Sequence, residues 1–133
     1  MRESESIRRV CILDWDVHHG NGSQDLTIDD ENIMYISLHR YGDGFYPGTG
    51  APSELGAKGT NVNVGWSEKG LSDADYLAAF DVVIEPVLQS FEPDLIIIAA
   101  GFDAADGDPL GGMMVTTRAV SYTHLTLPTI LLV

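Results

Sequence analysis

The sequence predicts an α/β fold built around a mainly parallel sheet. Three observations carry that prediction. Short, mostly apolar runs rich in β-branched residues recur at Val10–Leu13, Ile33–Leu38 and Leu95–Ala100, which is how strands buried on both faces read. A stretch with a helical period of apolar residues separates the last two runs. Glycine-rich loops follow their carboxyl ends. Strand, helix and strand in alternation imply parallel pairing through crossover connections.

Each element has its own signature. Val10-Cys11-Ile12-Leu13 is the first strand, and it breaks into Asp14-Trp15-Asp16-Val17-His18-His19-Gly20-Asn21-Gly22, where closely spaced glycines mark a tight loop. Ser23 is expected to cap a short helix over 24–28. The second strand spans Ile33–Leu38. A long loop follows, from His39 to about Thr60, with Gly42, Gly44, Gly48, Gly50, Gly56 and Gly59 among its residues; long loops in compact domains usually carry function. Asn61–Gly65 is a weaker third strand. Ser72 is placed to cap a helix whose first turn holds Asp73 and Asp75. Apolar residues at Tyr76, Leu77, Phe80, Val83, Ile84, Val87, Leu88 and Phe91 trace one helical face, with Pro86 expected to kink it. Leu95–Ala100 is the clearest strand, apolar throughout and expected to be buried on both faces. It leads through Gly101-Phe102-Asp103 into a second glycine-rich loop over Asp106–Gly112.

Composition narrows the function classes. The 133 residues carry a formal net charge of −13, which argues against direct nucleic-acid binding and favours basic partners such as lysine-rich peptides or polyamines. The same charge also serves solubility. One cysteine, Cys11, allows no intrachain disulfide. No apolar stretch reaches the ~18–20 residues of a membrane span, and the charged N-terminus does not read as a secretory signal, so an intracellular protein is expected.

The polar residues gather at the carboxyl ends of the strands, where sites form in open parallel sheets. Asp16 and His18 stand two apart, so in an extended segment both point the same way. Asp103 arrives from another strand. One imidazole and two carboxylates make a ligand set that leaves a coordination position open, as catalytic zinc sites do, though such a set also accepts iron(II) or cobalt(II). Taken singly, Asp-x-His is a common string and Asp103 reads equally as a turn or cap residue. His19 is expected to point away from His18 and to be structural. Trp15 reads as core, and His39 has no assigned role.

Four segments resemble those of class II histone deacetylases: ILDWDVHHGNGSQ (Ile12–Gln24), ISLHRYGDGFYPGTG (Ile36–Gly50), DADYLAAF (Asp73–Phe80) and AAGFDAADGDPLGG (Ala99–Gly112). They occur in family order and spacing over about residues 8–118. The resemblance implies an arginase-like three-layer α/β deacetylase domain, of which residues 1–120 form a central fragment; 121–133 read as an atypical tail, either native or a cloning or assembly artefact. It implies that Asp16, His18 and Asp103 bind zinc. It implies that Asp14 orients a catalytic histidine and, with Ser37 and the Leu38 carbonyl, binds a structural potassium ion. Asn21 falls at a second histidine-supporting position. Phe45, Tyr46 and Leu110 fall on the acyl-lysine tunnel, with Tyr46 replacing the more usual Phe and making the rim more polar. Read without the resemblance, Asp14 and Ser37 are buried polar residues, and Phe45 and Tyr46 are core aromatics.

The implied reaction is hydrolysis of acetyl-lysine amides, on partners such as histone tails, which would place the parent protein in chromatin regulation and in the nucleus or cytoplasm, or in the cytoplasm of a bacterium. Related enzymes with the same metal motif act on acetylpolyamines or other small amides. A non-catalytic acyl-lysine-binding module and an inactive fragment are the readings from other classes. The family mechanism also uses a tandem histidine pair upstream of the metal strand and a downstream Tyr or His for the oxyanion. Neither is expected within this chain, so the chain alone is expected to be inactive.

Overall fold

The structure, a computed structural model, describes residues 7–122. Four strands form one sheet: β1 (Val10–Asp14), β2 (Ile33–Arg40), β3 (Asn61–Trp66) and β4 (Leu95–Ala99). Their order is β3-β2-β1-β4 and every neighbouring pair is parallel. Val10 is in register with Ile33 on one side and Leu95 on the other, and Asp14 with Ser37 and Ala99. β1 and β4 therefore finish level, while β2 and β3 run on together to Arg40 and Trp66, and the loops that follow all four emerge along one edge.

Short helices complete the scaffold, among them α1 (Asn21–Thr27), α2 (Asp73–Ala79) and α3 (Glu85–Phe91). α2 starts at Ser72 as the sequence predicts. The Asp75 carboxylate accepts hydrogen bonds from the Ser72 backbone N–H at 2.8 Å and from its hydroxyl at 3.2 Å, occupying donors that a helix start leaves free. α1 begins earlier than expected: Gly20 is its N-cap residue and Ser23 lies inside it. The Gln24 N–H to Gly20 carbonyl bond, at 3.0 Å, closes that first turn directly behind the glycine.

Pro86 does not break the helical run. A π-helical turn over Phe80–Ile84 joins α2 to α3, with the Glu85 N–H bonded to the Phe80 carbonyl. Proline offers no N–H to the carbonyl one turn back and its ring crowds that turn; the wider turn just before it absorbs the misfit. The buried face survives, with Tyr76, Phe80, Ile84 and Leu88 spaced four apart and all packed in the core.

The core centres on β1 and β2. Cys11, Leu13, Ile36 and Leu38 are wholly inaccessible, and Trp15 and Val17 continue it past the strand. β2 runs two residues beyond its expected end, so His39 and Arg40 belong to the strand rather than the loop. β4 differs from expectation. Among the described residues it pairs only with β1, and Leu95 and Ile97 are 38% and 47% exposed. Among the described residues no helix is long and apolar enough to cross a membrane. Residues 117–122 are helical, and the rest of the tail, 123–133, lies outside the described residues.

Two expectations follow from this packing. Ile36→Ala, which empties a site at 0% exposure in a central strand, should cost about 2–5 kcal/mol in urea denaturation; a loss under about 1 kcal/mol would place the residue outside the tight core. Burial also pushes the Cys11 thiol up to about 12. The native thiol should thus resist alkylation at pH 8 and react at once on unfolding. Because its folded pKa lies above the ordinary value of 9.0, its contribution is intact below pH 9 and is lost as pH rises toward 12. Cys11→Ala should show a shallower alkaline decline in stability than the native chain.

Candidate metal centre

β1 ends at Asp14, and the chain leaves it extended enough for Asp16 and His18 to face the same side. β4 ends at Ala99, and Gly101-Phe102-Asp103 turns back toward that point. One ligand atom each from Asp16, His18 and Asp103 lies within 4.8 Å of the others, although Asp103 is 85 residues from His18. The His18 Nδ1 stands 2.7 Å from Asp103 Oδ2 and 3.2 Å from Asp16 Oδ1. These donors are half-buried, with side chains 24–37% exposed. The group is thus preassembled and still reachable from solvent. One nitrogen and two carboxylate oxygens converging on one point suit a divalent ion with an open position.

Backbone amides hold the cluster in place. The Val17 N–H donates to Asp103 Oδ1 at 2.9 Å, the His18 N–H to Asp16 Oδ1 at 2.7 Å, and the Asp16 N–H to Asp14 Oδ1 at 3.1 Å. Gly101 makes the close approach possible. A Cβ at that position would collide with the Asp16 carboxylate and its own Cβ.

Asp14 lies beneath, buried, and does not join the cluster. Its Oδ2 accepts from the Tyr35 hydroxyl at 2.9 Å, and that hydroxyl accepts from the Gly20 N–H at 3.1 Å. Burial pushes the Asp14 carboxyl up to about 6; the bonds from Tyr35 and the Asp16 amide oppose this, and the nearby Asp16 and Asp103 charges add to it. Ser37 is buried in register with Asp14, and its hydroxyl meets His39 Nδ1 at 2.9 Å. Leu38, next along β2, is buried too.

His19 points away from His18, as expected, into a buried polar network. Its Nε2 meets Gln24 Oε1 at 3.0 Å and its Nδ1 meets the Thr49 hydroxyl at 2.8 Å. Gln24 Oε1 also accepts from Asn61 and Asn63 at 2.9 and 2.8 Å. His39 stacks obliquely on His19, with ring centroids 4.7 Å apart, and its Nε2 donates to the Gly50 carbonyl at 3.0 Å. A carbonyl can only accept, so His39 Nδ1 takes the Ser37 hydroxyl proton in the neutral form. Burial lowers His39 to about 4 and lowers His19 as well. Both are therefore neutral, hydrogen-bonded supports.

The aromatic residues divide. Phe45 is half-buried and stacks on the His18 ring, with centroids 5.0 Å apart and planes 12° from parallel. Tyr46 meets His18 edge-on at 6.1 Å and is 74% exposed, as is Leu110. Neither of these two is a core residue. Asn21 opens α1 on the surface, where the described residues give it no side-chain partner. Sequence reasoning passed over Tyr35, Gly101 and Arg40. The alternation Tyr35, Ser37, His39 on one face of β2 is the signal that could have found the first; Gly101 and Arg40 act through contacts across the chain that no local pattern shows.

The family model described as "Histone deacetylase domain" matches residues 1–130. Histone deacetylase 15 of Arabidopsis thaliana is 50% identical over 90% of this chain and 22% of its own length. Histone deacetylase HDA1 of Candida albicans is 48% identical over 90% of this chain and 15% of its own. The crystal structure of the HDA15 HD domain superposes with a TM-score of 0.89 at 48% identity, over 93% of this chain and 36% of that one. The chain spans about a fifth of the length of these curated relatives.

Gly101→Ala should displace Asp16 and weaken divalent-metal binding by on the order of tenfold to a hundredfold, with the far-ultraviolet circular dichroism spectrum unchanged. Unaltered metal affinity would mean that Asp16 does not depend on the glycine.

Proposed function

This chain belongs to the histone deacetylase domain family, and on that premise we propose that its parent domain hydrolyses the acyl amide of acetyl-lysine in peptides such as histone tails. The observation that carries the reading is the convergence of Asp16, His18 and Asp103 at the ends of β1 and β4. The donor set fits a zinc ion with an open position, and the three side chains already point at one centre. When bound there, zinc supplies Lewis acidity toward an amide carbonyl and toward water.

The chain's own residues supply orientation. The backbone N–H groups of Val17 and His18 fix the two carboxylates. Phe45, whose ring faces meet His18 and Arg40, offers its apolar edge to the alkyl part of a lysine side chain, and Tyr46 and Leu110 give the rim exposed contact area. Asp14 and Ser37, register partners, together with the Leu38 carbonyl, would hold a structural potassium ion below the site. The net charge of −13 favours basic substrates, so acetylpolyamines are the second reading. The parent protein belongs in the nucleus or cytoplasm.

Proton transfer needs a base beside the substrate. Among the described residues the other histidines, His19 and His39, are held in the buried network. We therefore place the general base and the oxyanion donor outside the described residues, and take this chain by itself to be inactive.

Elemental analysis of the purified chain tests the metal assignment. About one zinc per chain is expected, and little or none in Asp103→Ala. A folded chain without stoichiometric metal would refute the centre. Hydrolysis of an acetyl-lysine peptide by the purified chain, abolished by a chelator, would refute its inactivity.

A further inference from the structure

Arg40 closes β2 on the far side of Phe45 from the strand core, and its side chain is left with an unusual set of partners. The residue is 7% exposed. Its Nη1 donates to the Gly111 carbonyl at 3.2 Å, and its guanidinium carbon lies 4.0 Å from the centre of the Phe45 ring. Its Nε is buried with no hydrogen-bond partner. Among the described residues no carboxylate forms an ion pair with it. A buried charge without a counter-charge is costly, and in a chain of net charge −13 acidic partners are not scarce. Lys69 lies alongside: a Cβ on Gly112 would sit 3.5 Å from both Arg40 Nη1 and the Lys69 side chain. Both cations line an open cleft with Phe45, Ser67 and Leu110. Asp43 and Glu68 also line it, exposed like Lys69, whereas Arg40 is buried.

We propose that the Arg40–Lys69 cleft is a binding site for a single carboxylate. A guanidinium with free donors matches a carboxylate in shape and charge. Asp43 and Glu68, which share the cleft, oppose a polyanion more strongly than a single carboxylate beside the Arg40 guanidinium, so phosphate-rich ligands and nucleic acid are disfavoured. Phe45 joins this cleft to the metal centre, since it touches Arg40 and His18 alike. The carboxylate is thus an acidic side chain a few residues from the acyl-lysine of a bound peptide. That placement rests on the deacylase reading; the carboxylate site itself does not.

The test uses the full chain with zinc, and fluorescence anisotropy of four labelled peptides: acetyl-lysine or free lysine, each with Glu or Gln three residues away. The Glu peptides should bind on the order of tenfold more tightly than the Gln peptides. That preference should vanish in Arg40→Gln and shrink in Lys69→Gln. A Glu preference that persists with free lysine supports the carboxylate site and counts against the acyl-lysine reading. Equal binding of Glu and Gln peptides by the native chain overturns the site, and this comparison needs no variant to fold. Sodium acetate distinguishes the sources. If it abolishes the Glu preference at millimolar concentration, the cleft takes free carboxylates as well as peptide side chains. If the preference survives saturating acetate, the peptide side chain alone is the ligand. A native preference unchanged in a folded Arg40→Gln would place the carboxylate elsewhere and overturn the proposal.

Discussion

Two carboxylates, Asp16 and Asp103, are pressed toward one point above a third, Asp14, and that repulsion must be met before the end of the sheet can form. Three consecutive backbone amides and one imidazole meet it. The N–H groups of Asp16, Val17 and His18 point in turn at Asp14, Asp103 and Asp16, and His18 Nδ1 bridges the outer pair. Charge-assisted bonds of this kind are stronger than neutral ones. The turn after β1 is therefore held by the acids it carries, and the level ends of β1 and β4 follow from the need to deliver Asp103 to that turn.

Below this charged layer lies a neutral polar one. His19, His39, Gln24, Asn61 and Asn63 are all buried, and Gln24 Oε1 gathers three donors. Burying so many polar groups is tolerable because each side chain has at least one partner, although the Asn61 and Asn63 amide oxygens are left without one. The network links α1 to β3 and to the loop before Gly50, so the loop that presents Phe45 is fastened to the sheet at its far end. Gly50 enters because a side chain there would strike both histidine rings.

Much of this was legible in the sequence where local chemistry decides it. The run from Val10 into Asp14, Asp16 and His18 announces a buried strand ending in polar groups, and the structure puts those groups where the period of two places them. Ser72 and Asp75 announce a helix start. Pro86 announces a disturbance of the helix, and its form, a widened turn over Phe80–Ile84, depends on packing that the local sequence does not show. The exposure of Ile97 was hidden for a different reason: an apolar strand reads alike at the centre and at the edge of a sheet. Arg40 looked like a loop cation because its partners, Gly111 and Phe45, depend on a crossing of distant segments.

That same crossing distance shapes how the chain assembles. Val10 pairs with Leu95 and His18 meets Asp103, so β4 can dock only after most of the polypeptide has been threaded between them. Contacts this remote in sequence are slow to form and carry a large loop-closure entropy. An ion gripped by residues from both ends would act as a non-covalent staple across that loop. The order of events would then be chemical as well as topological: the strand that closes this loop brings the third ligand, and occupation of the centre becomes a report that β4 has docked beside β1.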